Sequence, residues 1–445
     1  MYKKILFSAA VLLIFFAFDA RGGVINSTWV GGALGPWEGP LYWDPPTVPD
    51  NTGDTTFIVT VDPNYIGAEC VEITIGWDHT VNRIDTYGEV HLSRQNYQYA
   101  PNIEVLEPNG LINHGFLEIE DEIVIKGDVL NTSGAWLNGW FDIENGNLVN
   151  MKDARIDATD GNIDVHDENI YNYGSIIATT ASGLWSNKEF NNYGEIENYG
   201  GMCSSDQTFS NHISGVIKGF GMIHSDEYIL NEGFIQSCGG GLLLHSREDF
   251  EGPYLVNRGF SNMGKLMNGP GSSLNIRVWV PDVNNLGTIE VHAGGGIAFG
   301  CNLVNEPNSG IKLYGGILFA PTITQKADAT LQGFGGITGD VVIETDGIIK
   351  LTGPTNIVGD VEIKNDATLE VSDGLTLITG KTVCNGTIHI KGGYLIPQGG
   401  LSGNCNIIWE PGLYTNVADF NLDGQVNLKD FAYFADVWLW QTAWR

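Results

Sequence analysis

The chain is 445 residues long and carries 53 acidic against 22 basic side chains, a formal net charge of -31 spread along the body and not gathered in a tail. A surface of that sign argues against nucleic acid as a partner, since phosphate binding needs a basic face, and it suits solubility outside the cell with loose affinity for divalent cations. The six cysteines (Cys70, Cys203, Cys238, Cys301, Cys384, Cys405) contain no CxxC pair, which argues against a zinc site, and their even number leaves disulfides open.

The first residues read MYKKILFSAAVLLIFFAFDARGG. Lys3 and Lys4 precede an apolar run from Ile5 to Phe18, and Ala20 and Gly22 can supply the minus-three and minus-one positions of a signal-peptidase site. This predicts a secretory signal over residues 1–22 and a secreted, extracellular or cell-surface protein. An uncleaved anchor helix is the alternative, although the run falls below the roughly twenty residues that cross the hydrocarbon core. No other stretch is apolar enough to span, so no membrane span is expected after cleavage.

Residues 23–84 are rich in Trp, Pro and Gly, as in STWVGGALGPWEGPLYWDPPTVPD. This composition resembles the opening of many secreted bacterial β-helix and autotransporter-like proteins, where such a stretch leads into the first coil. A cap is physically reasonable, because the end of a solenoid presents unpaired strand edges and an open core. The alternative makes Trp29, Trp37, Tyr42 and Trp43 an aromatic platform for sugar rings. Further on, IGWDHTVNR (Trp77, Asp78, His79, Arg83) resembles part of a pectate-lyase signature, but the companion arginine motif is absent.

Residues 85–410 are a repeat. A phrase of the form apolar, Asn, one or two residues, Gly, one residue, Ile or Leu recurs as LNTSGAWL, YNYGSII, LNEGFI and NNLGTIEV. Asn113, Asn131, Asn150, Asn172, Asn192, Asn211 and Asn231 step by 18, 19, 22, 20, 19 and 20 residues. The series continues through Asn257, Asn285, Asn305, Thr345, Asn365 and Asn385 with wider steps where the chain carries insertions. A fixed period near twenty in a strand-rich chain indicates a solenoid, and the leucine pattern of leucine-rich repeats is missing. The expected fold is all-β: a right-handed parallel β-helix of about 20 residues per coil, with stacked asparagines hydrogen-bonded along it.

Cys384 and Cys405 lie 21 residues apart, each just before an asparagine, so they should occupy equivalent places on neighbouring coils within disulfide reach. A buried thiol ladder is the alternative, because directly stacked strands do not favour bridge torsions. Cys203 and Cys238 do not fit the asparagine phase. Two acidic stretches stand out. DARIDATDGNIDVHDEN places Asp153, Asp157, Asp160, Asp164, His166, Asp167 and Glu168 in one coil, suited to calcium, to an acid and base pair, or to a solvated loop face. FLEIEDEIVIK alternates Glu118, Glu120 and Glu122 with apolar residues, as a strand with one exposed face requires.

The final segment, residues 411–445, contains DFNLDGQVNLKD, with oxygen-bearing side chains at the first, third, fifth, ninth and twelfth places and Gly424 at the sixth. That is the layout of an EF-hand-like calcium loop. Asp419, Asn421 and Asp423 offer side-chain oxygens, Gln425 its backbone carbonyl, Asn427 a further or water-mediated contact and Asp430 the closing carboxylate, making Ca2+ the expected cofactor. Phe431, Phe434, Ala435 and Trp438 then fall on one face at helical spacing. ADFNLDGQVNLKDFAYFADVWLW resembles one repeat of a type I dockerin, the calcium module that plugs into cohesin domains of polysaccharide-degrading assemblies. The resemblance implies a cohesin-like or cell-surface partner. A dockerin has two such repeats and this chain has one.

Serine nucleophile elbows, phosphate loops and dinucleotide fingerprints are absent from the sequence. The reading is a secreted or cell-surface structural or binding β-helix attached through its calcium-binding tail. The alternative is a polysaccharide-degrading enzyme, a calcium-dependent lyase or a glycoside hydrolase working on one face of the helix. An enzyme predicts a cleft holding two carboxylates, or a carboxylate-held calcium near Arg or Lys.

Overall fold

The computed structural model describes residues 24–51, 55–95, 101–106, 110–158, 161–180, 182–246, 259–278 and 280–410. It divides after Val283 into two compact units. The predicted signal, residues 1–22, and the whole of residues 411–445 lie outside the described residues. The described residues hold one short α-helix, Pro63–Ile66, and are otherwise mostly strand and turn.

In the first unit a coil contributes strand to each of three faces, as three short strands or, as in Glu195–Ser205 and Val216–Ser225, with the second and third faces run together in one longer strand. Leu148–Asn150, Arg155–Ala158 and Asn162–His166 are followed by Ile170–Asn172, Ser175–Thr179 and Gly183–Ser186. Each strand pairs in parallel with its counterpart one coil on, in the registers Asn150↔Asn172, Ile156↔Ile176 and Val165↔Ser186. Parallel pairing at a fixed period is what makes like residues stack. On the second face Ile156, Ile176, Ile196, Ile217, Ile235 and Leu266 form one fully buried column. Each such side chain contributes about 1.5–3 kcal/mol by leaving water. On the third face the inner column runs Phe141, Ile163, Leu184, Cys203, Ile223, Leu244. Cys203 therefore does fit the register, contrary to the expectation from asparagine phase. It is a core residue on a face that the asparagines do not mark, and burial pushes its thiol up to about 12. Cys238 is half-buried within Phe234–Ser246.

The first face carries the asparagines. Asn113, Asn131, Asn150, Asn172, Asn192, Asn211, Asn231 and Asn262 are all fully buried, and each Nδ2 donates to the next Oδ1 at 2.7–2.8 Å. An amide suits this place because it brings a donor and an acceptor to every coil, so no buried polar atom is stranded. Of the sequence series, Asn257 lies outside the described residues, and the ladder passes through Asn262.

The start of the first unit is closed by tryptophan. Val24–Trp29 pairs in parallel with Thr56–Val61 and antiparallel with Trp43–Asp44, so coil-like pairing begins well before residue 85. Trp29, Trp37 and Trp43 are 0%, 0% and 1% exposed and pack edge to face. Each indole N–H donates to a backbone carbonyl, those of Gly32, Pro49 and Trp37 respectively. Burial removes these three rings from any sugar platform and leaves them as a core. His79 packs on Trp37 and lies 3.3 Å from Glu38 Oε1. Burial works against the Glu38 charge, but hydrogen bonds from His79 and the Gly76 amide hold its carboxyl below the usual range. Asp78 accepts from Asn102, and Arg83 pairs with Asp85, so these signature-like side chains are committed to structure.

The second unit repeats the plan with longer strands, Gly310–Gln325, Thr330–Ile343 and Ile348–Val358. Its ladder is short: Asn285 donates to Asn305 at 2.7 Å and Asn305 to Gln325 at 2.9 Å. The column then becomes Ile343, Ile363 and Cys384. Thr345, Asn365 and Asn385 are therefore off the ladder, correcting their place in the sequence series. An apolar side chain at the inward position needs no partner. The period is kept instead by a left-handed turn residue three places on, at Asn308, Asp328, Asp346 and Asp366, with φ of 65°, 57°, 62° and 61°. Cys384 and Cys405 form a disulfide with Cα atoms 4.9 Å apart. Since Val383 pairs with Ser402, the bridge links positions offset by two residues and not directly stacked ones.

Candidate functional site

The outward column of the third face in the first unit reads Asp142, Asp164, Trp185, Ser204, His224, His245. Beside it, where the chain bends from the second face to the third, is a groove of about 380 Å³. Its walls are Asn162, Asp164, Trp185, Met202 and Met222, and Gly183, Gly200, Gly201 and Gly221 line it between them. Stacking explains the glycines. A Cβ at Gly183 would stand 2.1 Å from the Met202 carbonyl oxygen, and one at Gly221, whose φ is +119°, would stand 2.5 Å from that of Gly201. The bend thus forbids side chains where coils press together, and bare backbone becomes the lining.

Trp185 is 43% exposed, and its indole N–H donates to Asp206 Oδ1 at 2.7 Å, which fixes the ring. Asp164 is the other defining group. Burial raises its pKa, the neighbouring Asp142 carboxylate raises it further, and His166 opposes both. His166 itself approaches Asp142, Nε2 to Oδ2 at 3.9 Å. A raised carboxylate destabilises the fold when ionised. Below the ordinary carboxylate range both folded and unfolded states are protonated and nothing is lost; as pH rises through the folded pKa the penalty develops fully. Asp164→Asn is therefore expected to raise the melting temperature at pH 7, with the gain disappearing below about pH 4, as thermal unfolding at both pH values would show.

The acidic coil seen in sequence is dispersed by the fold. Asp153 and Asp167 occupy left-handed turns, Asp157 is buried against Arg155, and Glu168 pairs with Lys188 at 3.0 Å. Asp160 lies outside the described residues. Of the set, Asp164 lines the groove, and its carboxylate neighbour Asp142 comes from the preceding coil. Sequence reading missed Asp142, Trp185 and Asp206. The available signal was the period itself for Asp142, Asp164 and Trp185, which step by 22 and 21, whereas Asp206 stands two residues past Ser204, the register partner of Trp185.

Among the described residues, His91, Glu118 and Glu120 have ligand atoms within 4.8 Å of one another, close enough to share a cation. His91, however, already bridges two carboxylates, with Nδ1 at 2.6 Å from Glu118 and Nε2 at 3.1 Å from Glu89. Asn138 also donates to Glu118, at 2.9 Å. Glu118 is half-buried and Glu120 exposed, as an outward strand face requires, while the Glu122 side chain is outside the described set. The predicted calcium donors Asp419, Asn421, Asp423, Gln425, Asn427 and Asp430 are also outside it. As a donor set they are all oxygen, which suits a hard divalent cation.

Among the described residues no helix is long and apolar enough to cross a membrane. No family model and no curated protein matches the chain. Among solved structures it is similar to the TibC-catalyzed hyper-glycosylated TibA55-350 fragment, at 12% identity over 79% of this chain and 96% of that one, with a TM-score of 0.25.

Proposed function

We propose that this chain is a surface or secreted β-helix that binds polysaccharide in the groove beside Trp185 and is attached through the calcium loop at 419–430. The groove is the observation that carries the reading. An exposed, hydrogen-bonded indole offers a flat apolar face to the C–H side of a sugar ring, while Asn162 and Asp164 offer partners to its hydroxyls. Glycine-bared backbone lets a chain lie close. The net charge of -31, with Asp142, Asp164 and Asp206 at the site, favours neutral polysaccharide, or acidic polysaccharide bridged by calcium.

Affinity electrophoresis of the full-length protein through neutral and acidic polysaccharides, with and without calcium, tests this. Trp185→Ala is expected to weaken retention at least about tenfold. Unaltered retention of that variant would remove the groove from the binding reading. The adjacent carboxylates Asp142 and Asp164 favour one catalytic alternative, although among the described residues the groove lining contains neither Lys nor Arg. Release of reducing or unsaturated ends that stops in Asp164→Asn would replace binding with hydrolysis or elimination.

A further inference from the structure

Among the described residues no further coil follows Asn406–Trp409. Asn406–Trp409 lies in parallel register on Thr387–Ile390, so Ile407 continues the inward column of Ile388, and Trp409 that of Ile390. Ile388 and Ile390 are 1% and 5% exposed, whereas Ile407 and Trp409 are 43% and 61% exposed. Leu401, in register with the fully buried Thr382, is 40% exposed. Three inward-phase apolar side chains on the two strands of this coil, Leu401–Ser402 and Asn406–Trp409, form a surface that a solenoid must cover, since such edges otherwise recruit another chain.

We propose that the occupant is the chain's own segment 411–445, and that its aromatic face, Phe431, Phe434, Ala435 and Trp438, packs on Leu401, Ile407 and Trp409 as a cap. The segment starts two residues after Trp409, and Pro411-Gly412 is a turn signal at the point where it must double back. At helical spacing Phe431, Phe434, Ala435 and Trp438 make an amphipathic stretch that needs an apolar surface to pack against. The last described coil supplies that surface. This inference goes beyond the attachment reading and does not depend on which glycan the groove takes.

The test is hydrogen exchange on the full-length protein in calcium. The expected result is protection of the 401–409 amides at every protein concentration, falling at least about tenfold in Phe434→Glu while the 382–390 amides are unchanged. Trp438→Ala, a milder change, should move the same amides in the same direction. In a double-mutant cycle, Trp409→Ala and Trp438→Ala should together lower protection by less than the product of the separate effects. Unprotected 401–409 amides in the wild type, no response to either tail variant, or protection that appears only as concentration rises would each overturn the proposal, the last by assigning the surface to a second copy. Calcium calorimetry on Phe434→Glu separates the two readings: heat retained with protection lost leaves the loop intact and isolates the cap.

Discussion

Asn172→Leu is expected to destabilise the first unit by about 3–5 kcal/mol, because each buried polar group left without its partner costs about 1–3 kcal/mol. Asn172 is fully buried and serves two neighbours: its Oδ1 accepts from Asn150 Nδ2 at 2.8 Å, and its Nδ2 donates to Asn192 Oδ1 at 2.8 Å. The Gly174 amide also loses its acceptor, at 3.2 Å. Asn150 retains the Ser175 carbonyl at 3.0 Å, which keeps the loss below the sum of all these contacts. Leucine fills the same space, so the experiment reads polar satisfaction and not a cavity. Asn172→Asp should fare worse as pH rises, since it turns a carboxylate oxygen toward Asn192 Oδ1. Local hydrogen exchange is the appropriate measure, because a stacked repeat can open a few coils at a time. The second unit shows the other stable solution, in which Ile343 and Ile363 occupy the ladder position and no amide is required. A column of amides is sound when complete or absent, and costly when interrupted.

Gly219→Ala should be at least as damaging. A Cβ at that position, where φ is +122°, would stand 1.8 Å from the carbonyl oxygen of Asn198 in the coil beneath. Asn198 is the register partner of Gly219, so the obstructing atom is backbone held within a parallel sheet and cannot swing aside. Backbone strain and the clash together are expected to exceed about 3 kcal/mol and to lower the yield of folded protein. Gly239→Ala provides the control. Gly239 also has positive φ, +76°, but its Cβ would meet only the Phe220 ring at 3.6 Å. Only the conformational cost of about 1–2 kcal/mol should then appear. Circular dichroism and thermal unfolding of the two variants would separate steric exclusion from dihedral preference.

These two sites also show how far the sequence could be read. The asparagine period exposed the solenoid because one residue type repeats on one face, and seven of the ladder's eight members followed from it, the eighth being Asn262 and not Asn257. Faces without a repeated marker stayed hidden: Cys203 looked out of phase, and the column Asp142, Asp164, Trp185 has no shared chemistry to reveal it. Nearness along the chain was misleading in the acidic coil, because Asp153, Asp157 and Asp164 turn to different surroundings within one circuit. In a solenoid the informative neighbour is one circuit away, and for Asp164 that neighbour is Asp142. The drift from Asn305 to Ile343 was hidden for a related reason. Left-handed Asp residues kept the period after the amides had stopped, so Asn365 and Asn385 matched the count while lying off the column.

The amide column has one more consequence. Most of its members are separated by 18–22 residues, yet Asn231 donates to Asn262 across 31 residues at the same short distance. The column therefore behaves as a bookmark: chain can be added between two circuits, and the next amide restores the place. An architecture with that property can gain surface loops one at a time, each tested for use without renegotiating the interior.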